Sequence, residues 1–520
     1  MIHAHNFAES NGETFRTNHL DVYPHSLIED ALLFGGGIDS IDGRETTATI
    51  ARTPSQLNAL KGLSKGDVEA SRERILAALK LSNECKGEDE RMMQKRNGDF
   101  GNVRPTVVQI AGHDPDIAVK AALMILEQSG HLGSNVGGAI PPVVAAIDLN
   151  LGEGSVVCVF NRYSCFVPEA FPQCWNHLFG IIFPGCPQSI ARKGNYGSFL
   201  HDEYPQSAYD VLSKLRRELP MEIGITAKIR LPPTQADADA GKLGNFARIQ
   251  SLPTVEERMH RLIDCGVDLI TVHGRTRFEN KVAVSAPDWS AIRRCVEAAR
   301  RYSGGEHYPV FANGGIESFE DVTRCFEETG ASGVMSSESL LENPGLFKGY
   351  GRNNGGVISA RNILEQQLEY ADTYLDYATV FPPVPGSLGS KGGCFNVIRS
   401  HMFKFLYRYL EENPDLRSSL GNQNLHTIKE ARDLVSEIRS RYEQFGEEEL
   451  SLKRSSSEES SWYRRHRQQG RDVRSLQSHS QSSESPVSLS VEERKKLAKS
   501  RIQKLREERI QREAEANIAA

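Results

Sequence analysis

Between residues 105 and 350, short apolar runs rich in Val and Ile alternate with longer stretches whose apolar positions recur every three to four residues. The runs predict strands at Thr106–Ile110, Ala145–Leu149, Gly224–Ile229, Asp268–Val272, Pro309–Ala312 and Ser332–Met335. The longer stretches predict helices at Asp116–Gln128, Pro205–Glu218, Val255–Asp264, Trp289–Ala299 and Ser318–Glu328. Near-continuous apolar strands separated by helices imply a parallel sheet covered on both faces. Polar residues recur at the strand ends: Gln109, Asn150, Lys228 with Arg230, His273 with Arg275, and Asn313-Gly314-Gly315. A (β/α)8 barrel brings all such ends to one site, whereas a doubly wound sheet concentrates them at one switch point. The expected fold class is therefore α/β, a TIM-type (β/α)8 barrel, with six strands visible instead of eight.

Outside this stretch the pattern changes. Residues 35–102 are polar and charged, with a helical piece around Val68–Lys80, and are expected to form a surface insertion. Residues 360–445 have helical periodicity, as in Ile363–Tyr374, Val397–Leu410 and Leu425–Tyr442, and predict a separate all-α domain. Beyond Gly446 the chain is dominated by Ser, Glu, Arg and Gln, the composition of a disordered tail. It ends in a charged stretch, Val491–Ala516, expected to be a lone solvated helix. The expected organisation is a barrel over 1–350, interrupted at about 35–102, 131–144 and 153–185, a helical domain over 360–445 and a tail over 446–520.

Composition narrows the setting. The chain has 520 residues and a formal charge of −6, which excludes a globally basic nucleic-acid binder but not a local basic face. No run reaches the roughly 18 apolar residues of a membrane span, so no membrane association is expected. The nine cysteines are odd in number, scattered and never in Cys-x-x-Cys pairs. That argues against a disulfide framework or a zinc site and for a reducing compartment, the cytoplasm or the nucleus. No protein partner is inferred.

Five ordered motifs carry chemistry. They are Asp148-Leu149-Asn150-Leu151-Gly152; Gly185-Cys186-Pro187-Gln188; Ile270-Thr271-Val272-His273-Gly274-Arg275-Thr276-Arg277; Val310-Phe311-Ala312-Asn313-Gly314-Gly315-Ile316; and Val334-Met335-Ser336-Ser337-Glu338 with Asn343-Pro344. Together they resemble the tRNA-dihydrouridine synthases, specifically the eukaryotic branch named for uridines 16 and 17. The resemblance covers roughly residues 1–34 and 103–445, with interruptions.

Reducing the uracil C5–C6 bond needs a hydride at C6 and a proton at C5. The resemblance implies that reduced FMN supplies the hydride, that Cys186 is the acid, and that NADPH re-reduces the flavin. A thiol, with an ordinary pKa near 8.5, is a workable acid at neutral pH. By the same resemblance Gln109 and Lys228 bond the flavin ring edge, and a cation there favours the reduced anionic flavin. Asn150 offers a donor and an acceptor to the flavin or the uracil edge. His273 contacts the cofactor. Asn313, Gly314 and Gly315, with the backbone of Ser337 and Glu338, suit the barrel phosphate site. The tRNA partner is expected to meet Arg192, Lys193, Arg230 and Arg275. It is also expected to meet a basic helix face of Arg399, His401, Lys404 and Arg408, interleaved with Phe403 and Phe405. Trp462-Tyr463-Arg464-Arg465-His466-Arg467 in the tail pairs aromatics with positive charge.

The chain departs from the family pattern in three places. The family's first two strands and one helix have no counterpart, which leaves two sheet edges exposed and removes part of the flavin site. Deleting residues 153–185 joins Asp148–Gly152 directly to Cys186-Pro187-Gln188 and restores an uninterrupted motif. The deleted stretch is too apolar for an exposed loop, and its clean boundaries suggest a translated intron in an imperfect gene model. Residues 131–144 interrupt the chain before Ala146-Ile147-Asp148 in the same way. Two other readings stay open: a non-catalytic tRNA-binding protein with an incomplete barrel, and an FMN barrel reductase acting on a free pyrimidine.

Overall fold

The computed structural model describes residues 2–3, 54–84, 106–128, 144–151, 157–160, 188–242, 252–279, 286–303, 308–347, 360–383, 393–421, 425–446 and 448–450. Cys186, the tail motif at 462–467, the C-terminal helix expected at Val491–Ala516 and most of the three interruptions lie outside these residues.

The strands are β1 (Ile2–His3), β2 (Thr106–Ala111), β3 (Val144–Leu151), β4 (Val157–Phe160), β5 (Gly224–Arg230), β6 (Leu269–His273), β7 (Val310–Asn313) and β8 (Gly333–Ser336). The sheet order is β1-β2-β3-β5-β6-β7-β8-β4, and every pair is parallel except β8 with β4. Apart from β4, neighbours in space are neighbours in sequence, with no reversal of order. That is the winding of a barrel wall, not of a doubly wound sheet.

The six predicted strands are β2, β3 and β5–β8, and each outer edge gains some pairing. Ile2–His3 pairs with Ile110–Ala111 on β2, and Val157–Phe160 runs antiparallel to Gly333–Ser336 on β8. The expectation of two unpaired edges is therefore corrected along β8, and on β2 only at Ile110 and Ala111. Unpaired edge N–H and C=O groups favour any segment that can add a strand. The apolar run Val157-Cys158-Val159-Phe160, inside the 153–185 interruption, supplies one.

Register divides the sheet into two unlike faces. Ile147, Leu149, Ile225, Ala227, Ile270, Val272, Val310, Ala312 and Val334 form the apolar face, packed under the helices in one large core. Paired positions on the opposite face are Gln109, Asp148, Asn150, Thr226, Lys228, Arg230, Thr271, His273, Phe311 and Asn313. A parallel sheet in a barrel needs both faces covered, so this polar inner face belongs to a site. Phe311 fills the inner face, and a Cβ at Gly333, its partner across the ladder, would stand 2.5 Å from the ring.

The helices are α1 (Pro54–Ala59), α2 (Lys65–Glu84), α3 (Pro115–Gln128), α4 (Gln188–Lys193), α5 (Ser198–Glu203), α6 (Pro205–Glu218), α7 (Gln235–Asp239), α8 (Val255–Asp264), α9 (Trp289–Tyr302), α10 (Phe319–Thr329), α11 (Glu338–Glu342), α12 (Ala360–Val380), α13 (Cys394–Phe405), α14 (Tyr407–Glu412), α15 (Pro414–Gly421) and α16 (Ile428–Glu443). Helices α8 and α10 open with capping boxes, Thr254 with Glu257 and Ser318 with Asp321. Helices α12–α16 close over a second core containing Leu368, Leu375, Ile398, Met402, Leu434 and Ile438.

Residues 54–84, expected as a surface insertion in the barrel, instead join this second core. Arg74 on α2 makes a two-pronged contact with Asp376 on α12 at 2.8 and 2.6 Å, and Arg432 on α16 donates to the same carboxylate at 2.7 Å. Burial raises the Asp376 pKa, but the Arg74 and Arg432 hydrogen bonds outweigh it and hold the carboxyl below its usual range. The Ser55 hydroxyl accepts from the Cys394 N–H at 2.5 Å, so α1 caps the start of α13.

His401 packs against the touching rings of Tyr374 and Phe405, with ring centroids 5.0 and 6.1 Å away. Burial, aided by the charge of Lys404, lowers its pKa from 6.5 to about 4. Between those values the unfolded chain takes up a proton that the folded one does not, so stability falls as pH drops through 6.5 toward 4. Buried His201 and His273, both held well below 6.5, act in the same direction. His401→Phe is expected to remove about 2 kcal/mol of the stability lost between pH 7.5 and 5. Denaturant melts at the two pH values check this; an unchanged difference would refute it.

Candidate active site

The inner-face polar groups meet along the C-terminal edge of the sheet. On β2 and β3, Gln109 Nε2 donates to Asp148 Oδ2 at 2.7 Å, and Asn150 Nδ2 donates to Gln109 Oε1 at 3.2 Å. From β5, Thr226 Oγ1 donates to Asp148 Oδ1 at 2.7 Å. Desolvation raises the Asp148 pKa, opposed by the Thr226 and Gln109 hydrogen bonds and by the charge of Lys228. Lys228 is 2% exposed and sits opposite Asn150 in the ladder.

Beside this chain lies a cationic cluster. Arg230 stands opposite His273 across the β5–β6 ladder, and its Nη1 donates to the Thr276 carbonyl at 2.7 Å. Arg275 Nη1 lies 3.2 Å from His273 Nε2. Burial, then the charges of Arg230, Lys228 and Arg275, keep His273 neutral well below its ordinary pKa. Its Nδ1 is shielded from solvent and has no hydrogen-bond partner among the described residues. Such an orphaned buried nitrogen among positive groups suits a bound anionic or polar ligand.

Next in line, Asn313 stands opposite His273, and its Nδ2 donates to the Met335 carbonyl at 2.8 Å, tying β7 to β8. Gly314 and Gly315 take φ values of +104° and +77°. A Cβ at Gly314 would lie 3.0 Å from His273 Cδ2, and one at Gly315 would lie 2.6 Å from Pro287 Cγ. The two glycines thus permit close backbone approach beside His273. Ser337 precedes α11, which opens at Glu338.

The structure therefore brings Gln109, Asn150, Lys228, His273, Asn313, Gly314 and Gly315 onto one connected edge. It also moves Arg230 and Arg275, expected to meet RNA, into the buried cluster; they are 7% and 8% exposed. Arg192 and Lys193 are exposed at the end of α4, whose following turn is fixed by buried Tyr196 and by the 3.2 Å contact of His113 Nδ1 with the Gly194 carbonyl. Gln188, two positions after Cys186, opens this helix.

The expected basic face is corrected, with Arg408 on α14 beyond the break at Leu406 and the other three positions on α13. Arg399 donates to Asn396 Oδ1 and, at 2.6 Å, to the Leu425 carbonyl, and it lies 5.3 Å from the Phe395 ring centre. With half-buried His401 packed against two rings, two of the four positions serve helix packing. Lys404 stays partly exposed, 3.3 Å from the Ser400 hydroxyl. Helical spacing identified one side of α13 but could not say which side meets α12.

Sequence reasoning passed over Asp148 and Thr226. It also passed over a buried ion-pair group behind the site. Arg258 donates to Asp202 at 2.5 Å, and Arg277 lies 3.2 Å from the other Asp202 oxygen and 2.7 Å from Glu203. Arg258 Nη1 is 3.3 Å from His201 Nδ1. The only available signal was a charged pair within helices otherwise patterned for burial.

Residues 182–381 match the sequence profile of the dihydrouridine synthase (Dus) family. A tRNA-dihydrouridine(16/17) synthase-like protein of Rattus norvegicus is 29% identical over 319 residues, 61% of this chain and 50% of that one. The tRNA-dihydrouridine(16/17) synthase of Saccharomyces cerevisiae is 28% identical over 322 residues, 62% of this chain and 56% of the yeast protein. The chain thus spans about half the length of the curated relatives it matches. The resemblance carried by the five motifs is borne out.

Proposed function

We propose that this chain is an FMN-dependent tRNA-dihydrouridine synthase that reduces uridines of the D loop to 5,6-dihydrouridine, with NADPH as the source of reducing equivalents. The observation that carries this reading is the connected inner edge from Gln109 to Gly315, with Arg230, Lys228 and Arg275 gathered near His273, whose shielded Nδ1 has no hydrogen-bond partner among the described residues. That donor set fits a flavin mononucleotide, which brings a polar ring edge and a phosphate. Gln109, Asn150 and Lys228 would hold the ring edge. His273 and the backbone around Gly314, Gly315, Ser337 and Glu338 would hold the phosphate end. Bound FMN supplies a hydride to uracil C6.

The protein's own part is to deliver a proton to C5, to orient the base and to exclude water. Cys186 is the proposed acid. Five cysteines lie among the described residues: Cys158 on the edge strand β4, and Cys265, Cys295, Cys325 and Cys394, which are buried among helices, where burial pushes each pKa up, to about 12 for Cys295 and Cys325. None of the latter four lies on a strand. The uridine must leave its stack to reach the inner edge, and exposed Arg192 and Lys193 are placed to meet its phosphates.

The test is spectroscopic and direct. Purified protein supplied with FMN should be yellow. After anaerobic reduction with NADPH, unmodified tRNA should restore the oxidised flavin spectrum and gain dihydrouridine. A colourless protein that still binds tRNA would favour the non-catalytic binder; reoxidation by a free pyrimidine but not by tRNA would favour the small-molecule reductase.

A further inference from the structure

The hydrogen-bond chain Thr226–Asp148–Gln109–Asn150 joins three strands, and its direction is set at one residue. Asp148 is 8% exposed, and both of its oxygens are occupied, Oδ1 by the Thr226 hydroxyl and Oδ2 by Gln109 Nε2. An ionised carboxylate can only accept. It therefore takes the NH2 end of the Gln109 amide, which leaves Oε1 to accept from Asn150 Nδ2. Amides are reversible in place: donor and acceptor ends have nearly the same shape, and only their partners distinguish them. Without an obligate acceptor at 148, Gln109 could turn over and would then set a donor against the Asn150 Nδ2 donor.

We propose that Asp148 is a positioning residue: its carboxylate fixes the amide sense of Gln109 and so the acceptor that Gln109 Oε1 offers to Asn150. The two side chains therefore present one pattern of donors and acceptors to the flavin and the base. The inference rests on the proposed function for the identity of what is presented, while the chain of contacts stands by itself. Lys228 opposite Asn150 contributes its charge to keeping the carboxylate ionised. The geometry matters because a ligand ring edge has fixed donors and acceptors, and a reversed amide opposes each with its like.

The deciding measurement is FMN binding to the apoprotein, followed by quenching of flavin fluorescence. Asp148→Asn offers the nearly isosteric amide, which can both donate and accept, and so removes the obligation on Gln109. We expect about tenfold weaker FMN binding and a displaced flavin absorption band. In a Gln109→Met background Asp148→Asn should add less than twofold, because the route through Gln109 is already lost. A residue needed only for folding would give additive losses and an unmoved band. Equal affinity and spectrum in wild type and Asp148→Asn would overturn the inference while leaving the synthase reading intact. A wild type that binds no FMN would overturn the synthase reading and the inference together. Should Asp148→Asn not fold, Thr226→Val decides the matter. It frees Oδ1 but leaves Oδ2 an obligate acceptor for Gln109, so FMN binding within twofold of wild type and an unmoved band are expected, and a displaced band refutes the inference.

Discussion

Cys186→Ala is expected to lower the rate at which tRNA reoxidises the reduced protein by about 10²–10⁴-fold, the usual contribution of a positioned general acid. FMN affinity and thermal midpoint should stay near wild type, because the residues proposed to hold the flavin lie on β2, β3, β5 and β6 and in the turns after β7 and β8, not at position 186. Cys186→Ser should recover little, since a hydroxyl is a far weaker acid than a thiol. In the wild type the rate should decline as pH rises past about 8.5, where an ordinary thiol gives up its proton. The alanine variant should lack that decline. Stopped-flow traces at several pH values check both points. A variant as fast as wild type would remove Cys186 from the chemistry and return the acid to solvent or another thiol.

Much of the fold was legible because burial on both faces leaves a plain mark. Val107-Val108, Ile147 with Leu149, and Ile270 with Val272 read as strands without help from context, and their helices followed from three-to-four-residue spacing. The site was legible for a related reason. Gln109, Lys228 and His273 are polar residues within or at the end of otherwise apolar strands, and a barrel brings such ends together. The alternation that separates the inner from the outer face, however, became visible only through register. That is why Asp148 and Thr226, one step deeper than Asn150 and Lys228, were missed.

Other features depended on contacts that periodicity does not encode. Among residues 54–78 only Gln56, Ala59, Ser71 and Ile75 are buried, too few to announce where α1 and α2 would dock. The docking is specified by Arg74 and Asp376, residues 302 positions apart. Arg399 and His401 looked like a solvated basic face because cation spacing reveals helix sides but not neighbours. The edge strand Val157–Phe160 sits within a stretch that reads as foreign to the family motif, yet the open edge of β8 gives it hydrogen-bonding partners.

Asp202→Ala is expected to destabilise the protein by about 3–5 kcal/mol, the cost of leaving buried charge without its partner. Arg258 and Asp202 have side chains only 2% exposed, and Arg277 is 4% exposed. Removing the carboxylate leaves the Arg258 guanidinium with the neutral His201 ring as its nearest named polar contact, while Arg277 keeps Glu203. The thermal midpoint should fall on the order of 10 °C. The effect should also reach the site, because Asp202 lies on α5, which follows the α4 segment just after Cys186, and grips Arg277, two residues beyond Arg275. Asp202→Ala should therefore slow turnover even at temperatures where it is fully folded. A joint replacement, Asp202→Leu with Arg258→Met, should recover part of the lost stability, since it removes both charges from the interior. If the single and joint variants melt together, the pair is not the clamp that its burial indicates.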